Sequence, residues 1–296
     1  MGNIDYVVTY VDSSKPIWRR QYEEACSKVN RRADLNSNRY RDWDTLLYIM
    51  RGIDCYMPFI RNVYVVVSDE SQVPSWLTGV KVITHRGIIP VKYLPTFNST
   101  CIELFLYRIP GLSERFIYGN DDMIPIDELT EEDFYGKYPK LLWKERFYHD
   151  EMNMYRHHLH NGDNLARYLS GHCERNDIYI KTGHNLNPML KSTWEYLWER
   201  GFRTLESSIS KFRQYNNINQ DLCAFYQIHS GQVEESERRT RYMEFEDMGK
   251  VDDFIRNTDA QLICLNDSKS KDYERDREIV EKALEYRLPN KSRFEI

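Results

Sequence analysis

The chain predicts an α/β fold, a mostly parallel, doubly wound sheet followed by a helical C-terminal part. Three observations carry that expectation. Short runs rich in Val, Ile and Tyr alternate with helical periodicities over the first 125 residues, as strands buried on both faces and linked by crossover helices would. Asp12, Ser68–Glu70 and Asn120–Asp122 each follow such a run, which in a parallel sheet gathers them at the carboxyl edge, where ligands bind. After residue 135 the pattern changes to amphipathic stretches such as MLKSTWEYLWER at 189–200.

In chain order, IDYVVTYV (4–11) is β-branched and aromatic, of strand length, and stops at the turn Asp12-Ser13-Ser14. Pro16 suits the first turn of a helix running to about Asn30. Residues 31–42 are polar and basic and read as a surface loop, whereas 43–57 shows helical periodicity that ends before Pro58. Strands are expected at 62–67, 80–84 and 116–118, a helix at 100–109, and a short acidic helix start at 131–134. Further on, helices are expected at 189–200, 219–229 and 275–286, and QLICL (261–265) reads as a late strand returning to the sheet. No internal repeat, low-complexity linker or boundary interrupts the chain. The expectation is therefore one catalytic domain over 1–296, with an α/β core at about 1–135 plus the late strand near 261–266, and a helical part at about 136–258.

Composition narrows the function. A chain of 296 residues with 41% hydrophobic residues can bury a sizeable core, and a net charge of −5 offers no basic field for nucleic acid. The 22 tyrosines supply flat, partly polar surface suited to sugars or bases. Six cysteines are scattered at 26, 55, 101, 173, 223 and 264 without a CxxC pair, which fits free thiols in a reducing cytosol. The start, MGNIDYVVTYVD, has no signal-peptide pattern and matches the myristoylation pattern poorly. No apolar run approaches the roughly 20 residues of a membrane helix. The mixed run EESERRTR (234–241) reads as a solvated loop or helix face.

The strongest chemical signal is Asn120-Asp121-Asp122, directly after a hydrophobic strand. A helix cap explains one Asp there more readily than two, and paired carboxylates are hard ligands for Mg²⁺ or Mn²⁺, ions that neutralise a diphosphate. In TFNSTCIE (96–103), Thr100 and Glu103 have capping-box spacing. Alternatively, Ser99 and the helix start face an anion. Glu103 and Arg108 are five apart and share no tight helical face. His184 lies in a loop before an amphipathic helix, where an imidazole can remove a proton from a hydroxyl. His157, His158 and His160 are close enough to bind a metal, but with no partner acid evident they read as surface residues. Arg213 can clamp a phosphate or simply be a surface cation. No GxGxxG, GxxxxGK[ST] or GxSxG is present, which argues against dinucleotide, P-loop and nucleophile-elbow sites.

Taken in order, these pieces resemble the Stealth family of hexose-1-phosphate transferases. That family includes bacterial capsular and exopolysaccharide phosphotransferases and the catalytic core of the lysosomal-enzyme N-acetylglucosamine-1-phosphotransferase. The resemblance lies in IDYVVTYVDSSKPIW (4–18), RYRDWDTLLYIMRGIDCYMPFIRNVYVVVSDESQVPSWL (39–77), VITHRGIIP (82–90) and YLPTFNSTCIELFLYRIPGLSERFIYGNDDMIPIDELTEEDFY (93–135). It continues in TGHNLNPMLKSTWEYLW (182–198), KFRQYNNINQDLCAFYQIHSG (211–231) and QLICLND (261–267). Tyr10 stands where relatives often carry Trp, and Asp12-Ser13 where many have Asp-Gly or Asn-Gly.

The resemblance implies a Rossmann-like, glycosyltransferase-like fold. It also implies a nucleotide-sugar donor, UDP-linked in the expected case, and a glycan or lipid-linked glycan acceptor. No nucleic acid is involved, and a cytoplasmic place at the inner membrane face is compatible with it. On this reading Asp121 and Asp122 hold the divalent metal, Mg²⁺ or Mn²⁺, with Asp12 as a helper. His184 is the general base and Arg213 stabilises the phosphoryl oxygens. Ser99 and Glu103 orient substrate, Asp5 and Tyr10 lie near the nucleotide, and Arg108 and Asn120 complete the substrate-binding set. Two alternatives stay open: a metal-dependent glycosyltransferase, and a non-catalytic carbohydrate-binding protein of the same fold.

Overall fold

The computed structural model describes residues 3–34, 38–172, 177–267 and 269–296. The first β-branched run forms β1 (Ile4–Thr9) and Pro16 opens α1 (Pro16–Lys28). Helix α2 (Thr45–Tyr56) follows Asp44, which turns the chain with a φ of 55°. Next come β2 (Ile60–Val67), β3 (Lys81–Thr84), the single turn α3 (His85–Ile88) and α4 (Ser99–Glu103). They are followed by β4 (Arg115–Gly119), β5 (Met123–Pro125) and α5 (Glu131–Phe134), the last opened by a capping box between Thr130 and Asp133. The second half contains β6 (Lys140–Leu141), β7 (Trp143–Phe147), α6 (Met154–Leu169), β8 (Ile178–Thr182) and β9 (Asn187–Leu190). It continues through α7 (Lys191–Ser208), α8 (Asp221–His229), β10 (Glu234–Glu235), β11 (Thr240–Glu244), α9 (Met248–Asn257), β12 (Leu262–Asn266) and α10 (Tyr273–Arg287).

The central sheet has the order β3-β2-β1-β4-β9. Its first four strands are parallel and β9 is antiparallel to β4, so the mostly parallel, Rossmann-like α/β expectation holds. Successive residues of β1 feed opposite cores, as a period of two requires. Ile4, Tyr6 and Val8 pack with α2, β12 and α10, whereas Val7 packs with α4 and α6–α8. Burial on both faces explains why β1 and β2 read as continuous apolar runs rather than alternating ones.

Several local expectations change. The helix expected at 100–109 is one turn, Ser99–Glu103, followed by a 3-10 turn at Leu106–Arg108. Met189 and Leu190 belong to β9, and the amphipathic helix begins only at Lys191. The late strand β12 does not return to the central sheet. It pairs antiparallel with β5 and parallel with β11 in a separate three-stranded sheet. The EESERRTR run is partly internal: Arg238 is 4% exposed, donates to the carbonyls of Asp133 and Leu186, and lies over the Phe134 ring. His158 is likewise buried, with Nε2 2.7 Å from the Gln214 carbonyl, because α6 packs its inner face on α8. The described cysteines are free thiols, and Cys173 lies outside the described residues.

Candidate active site

Adjacent parallel strands bring the residues after their carboxyl ends together. Val8 of β1 is paired with Gly119 of β4, so Tyr10–Asp12 and Asn120–Asp122 leave the sheet side by side. Tyr118 fixes the start of the second segment. Its hydroxyl donates to Asn120 Oδ1 at 2.8 Å and lies 3.0 Å from Thr9 Oγ1. The Asp121 carbonyl accepts from the Thr45 hydroxyl at the start of α2. On the β1 side, the Tyr10 hydroxyl donates to Asp42 Oδ2 at 2.6 Å. Asp12 accepts from the Ser14 amide and lies 3.6 Å from Lys15 Nζ.

Asp122 is the hub. Oδ2 lies 3.5 Å from His184 Nε2 and 3.4 Å from Cys264 Sγ, whereas buried Oδ1 has no protein partner. Its carbonyl accepts from the Leu265 amide at 2.9 Å, which is how β12 delivers Cys264. Burial alone would push the His184 imidazole down, but the Asp122 carboxylate outweighs it and holds the group above its ordinary value. Burial, with Asp122 and Asp42 adding repulsion, pushes Asp121 up to about 8. Asp42 is pushed up to about 6, chiefly by burial.

Crowded acids with an orphaned carboxylate oxygen form a donor set that a hard cation would satisfy. Asp121 and Asp122 therefore fit Mg²⁺ or Mn²⁺ on the Oδ1 side. On the Oδ2 side, ligand atoms of Asp122, His184 and Cys264 lie within 4.8 Å of one another, a softer N, S, O set of the kind zinc takes.

A second group adjoins the first. Asn98 caps α4 by accepting from the Thr100 amide and donates to Asn217 Oδ1 at 3.0 Å, tying α4 to the 210–217 segment. Across that tie, Arg213 Nη2 donates to Ser99 Oγ at 2.7 Å. Glu103 does not close a capping box with Thr100. It is buried and accepts from the Gln220 amide at 3.0 Å, and that burial raises its carboxyl. Buried Asp221 accepts from Thr182 Oγ1 at 2.7 Å and from Asn219 Nδ2 at 2.6 Å, fixing the strand end that leads into His184. The fields of Glu103, Asp121 and Asp122 all act on Tyr118, which links the two groups.

The structure thus gathers Tyr10, Asp12, Asn120, Asp121, Asp122 and His184 in one group and Ser99, Glu103 and Arg213 in the next. It does not bring Asp5 or Arg108 to them. Asp5 is the second residue of β1 and so lies at the amino edge, the opposite end of a parallel strand from the ligand edge. There Arg61 grips it in two hydrogen bonds at 2.7 and 3.0 Å, and the Ser113 amide donates at 2.7 Å. Arg108 is exposed in the 3-10 turn with its guanidinium 5.9 Å from the centre of the Phe105 ring. Asp42, Asp221 and Cys264 were not legible as site residues. The RDWD run at 41–44 held the available signal for Asp42, an acid pair flanking a Trp.

The family described as Stealth protein CR2, conserved region 2, matches residues 39–141, a span that holds Asp42, Ser99, Glu103 and Asn120–Asp122. The chain is 28% identical to the capsular polysaccharide phosphotransferase WcwK of Streptococcus pneumoniae, over 100% of this chain and 99% of that protein. It is 30% identical to the receptor polysaccharide phosphotransferase WefC of Streptococcus oralis over 100% of both. It is also 32% identical to the capsular polysaccharide phosphotransferase cps1A of Actinobacillus pleuropneumoniae, over 73% of this chain and 62% of the relative. Among solved structures, the galactosyltransferase LgtC superposes with a TM-score of 0.40 at 11% identity, covering 94% of this chain and 95% of that one. A likeness at that level carries no argument about chemistry.

Proposed function

Because this chain belongs to the Stealth family of polysaccharide phosphotransferases, we propose the particular transfer it catalyses: hexose-1-phosphate, from a UDP-linked sugar to a hydroxyl of a glycan acceptor, free or lipid-linked. The observation that carries this reading is His184 Nε2 resting on Asp122 Oδ2 at 3.5 Å, one residue from Asp121. A base and an acidic cation site then share one carboxylate.

In this mechanism the acceptor oxygen forms a bond to the phosphorus attached to the hexose. The bond from that phosphorus to the bridging oxygen breaks, and UMP leaves. The anomeric C–O bond is untouched, so its configuration is retained. His184 takes the hydroxyl proton on Nδ1, the ring nitrogen that does not face Asp122, while Nε2 donates to the carboxylate. Asp122 orients the imidazole and favours the imidazolium that forms. Arg213, steadied by Ser99, holds the phosphoryl oxygens through its remaining N–H groups. Such a transfer needs charge stabilisation and alignment more than covalent chemistry. Mg²⁺ or Mn²⁺, held by Asp121 and Asp122, would supply neutralisation of the diphosphate. Tyr10 and Asp12, on the adjoining strand end, line the donor side. Among the described residues no helix is long and apolar enough to cross a membrane.

A panel of sugar nucleotides with glycan acceptors, assayed for UMP release and by phosphorus NMR, tests the proposal. A phosphodiester resonance with equimolar UMP is expected. A glycoside with released nucleoside diphosphate would make the protein a glycosyltransferase instead.

A further inference from the structure

Beside the site, β7 and β8 form a two-stranded antiparallel ribbon in which Lys144 stands directly opposite Lys181, with Arg146 two residues along the same face opposite Tyr179. Helix α6 packs on β8 and adds Arg156, whose charge acts on both Lys181 and Tyr179. Like charges directly across a ribbon repel. Among the described residues, none of these four cations forms an ion pair. A solvated basic face would explain Lys144, Arg146 and Arg156, which are exposed, but not Lys181, which is half-buried. Lys181 lies three residues before His184, and its field reaches both His184 and Asp221.

We propose that Lys144, Arg146, Arg156 and Lys181 form an anion subsite that binds a phosphate group carried by the acceptor. The inference rests on His184 being the base of the transfer. Asp122 holds Nε2 of the imidazole, β8 ends two residues before His184, and a base must touch the acceptor hydroxyl. The surface continuing along β8 is therefore on the acceptor side. Three cations converging on one half-buried lysine suit a compact, multiply charged oxyanion better than a neutral sugar.

The test uses the full chain and three acceptors built on one oligosaccharide: neutral, carried as a butyl diphosphate, and bearing an internal phosphodiester. In the wild type the kcat/KM of at least one phosphorylated acceptor should exceed that of the neutral one by about tenfold or more, the worth of one or two charge-assisted bonds. Which phosphorylated acceptor gains identifies the source of the phosphate. In K144Q/K181Q that ratio should collapse toward one with the donor KM unchanged. R146Q/R156Q, confined to exposed side chains, provides the same reading should the first variant fail to fold. An unchanged ratio overturns the inference, as does a raised donor KM. Loss of binding to phosphatidylglycerol vesicles with an intact ratio also overturns it, in favour of a membrane contact. Calorimetric titration with butyl diphosphate needs no turnover and so separates this inference from the proposed reaction. Binding to the wild type that is lost in the variants upholds the subsite even if no transfer is found, and no binding to the wild type overturns it even if transfer is.

Discussion

Gly119 is the last residue of β4 and the first link to the Asn120–Asp122 segment, and replacing it with alanine tests whether backbone packing sets the site. A Cβ there would stand 2.5 Å from both the Tyr6 hydroxyl and Leu186 Cδ2, and 3.3 Å from Tyr6 Cζ. Neither neighbour has room to leave, since both are 0% exposed. Overpacking of this kind costs about 1–3 kcal/mol, which for a chain of this size lowers Tm by roughly 2–6 °C. The larger effect falls on activity, because the displaced strand end carries Asn120 and the two acids. A misplacement approaching 1 Å costs about 10²-fold, so G119A should lose roughly ten- to hundredfold in UMP release. The Tyr6 hydroxyl is buried and unpaired, so removing it sacrifices no hydrogen bond and opens the space the methyl needs. Y6F/G119A should then recover part of both losses. A G119A protein melting within about one degree of wild type, with unaltered turnover, would refute the packing argument.

Three further outcomes are expected. His184→Ala should fold normally and lose about 10²-fold or more in turnover; near-normal UMP release would exclude it as the base. Asp122 raises the His184 imidazole, and a base works when neutral, so the rate should climb with pH through that raised value. Asp122→Asn should move the His184 titration to lower pH by NMR as well as depress the rate, and an unmoved titration would show that the 3.5 Å contact has no electrostatic consequence. His85 and His158 are each pushed down to about 4 by burial. Below the unfolded value of about 6.5, the unfolded chain binds protons that the native state refuses, so these groups remove stability as pH falls from about 6.5 toward 4, by at most about 3 kcal/mol each, and contribute nothing above that range. His158→Gln should flatten the acid limb of denaturant-measured stability by about one proton, and an identical slope would contradict the assignment.

What was legible in the sequence was whatever depended on local pattern. Strands β1, β2 and β4 are buried on both faces, and their Val, Ile and Tyr runs announce that directly. The carboxyl-edge rule then located Asp12 and Asn120–Asp122 correctly. The same rule, applied to Asp5, would have placed it at the far edge, because a residue at the start of a strand cannot reach the ligand edge of its own strand. Illegible residues were those whose role comes from contacts distant in sequence. Asp42 matters through Tyr10, Asp221 through Thr182 and Glu103 through Gln220. In α4 the capping-box spacing of Thr100 and Glu103 was a local pattern overridden by tertiary structure, since Asn98 supplies the cap.

Asp122 shows why this site forms only with the whole chain. Its side chain meets His184, 62 residues on, and Cys264, 142 residues on, while its carbonyl accepts from the Leu265 amide. The contact with β12 depends on β12 pairing with β5, the strand that directly follows the acids. Had the late strand joined the central sheet, Cys264 would lie along a sheet edge and the Asp122 carbonyl would need another donor. The separate three-stranded sheet therefore acts as a brace that holds the acid segment and brings Cys264 to it. Raised carboxyl groups at Asp121 and Asp42 are the electrostatic counterpart of that bracing. Burial first, and then the repulsion of the acids packed beside one another, raises both groups, and a divalent cation would neutralise them while binding a diphosphate.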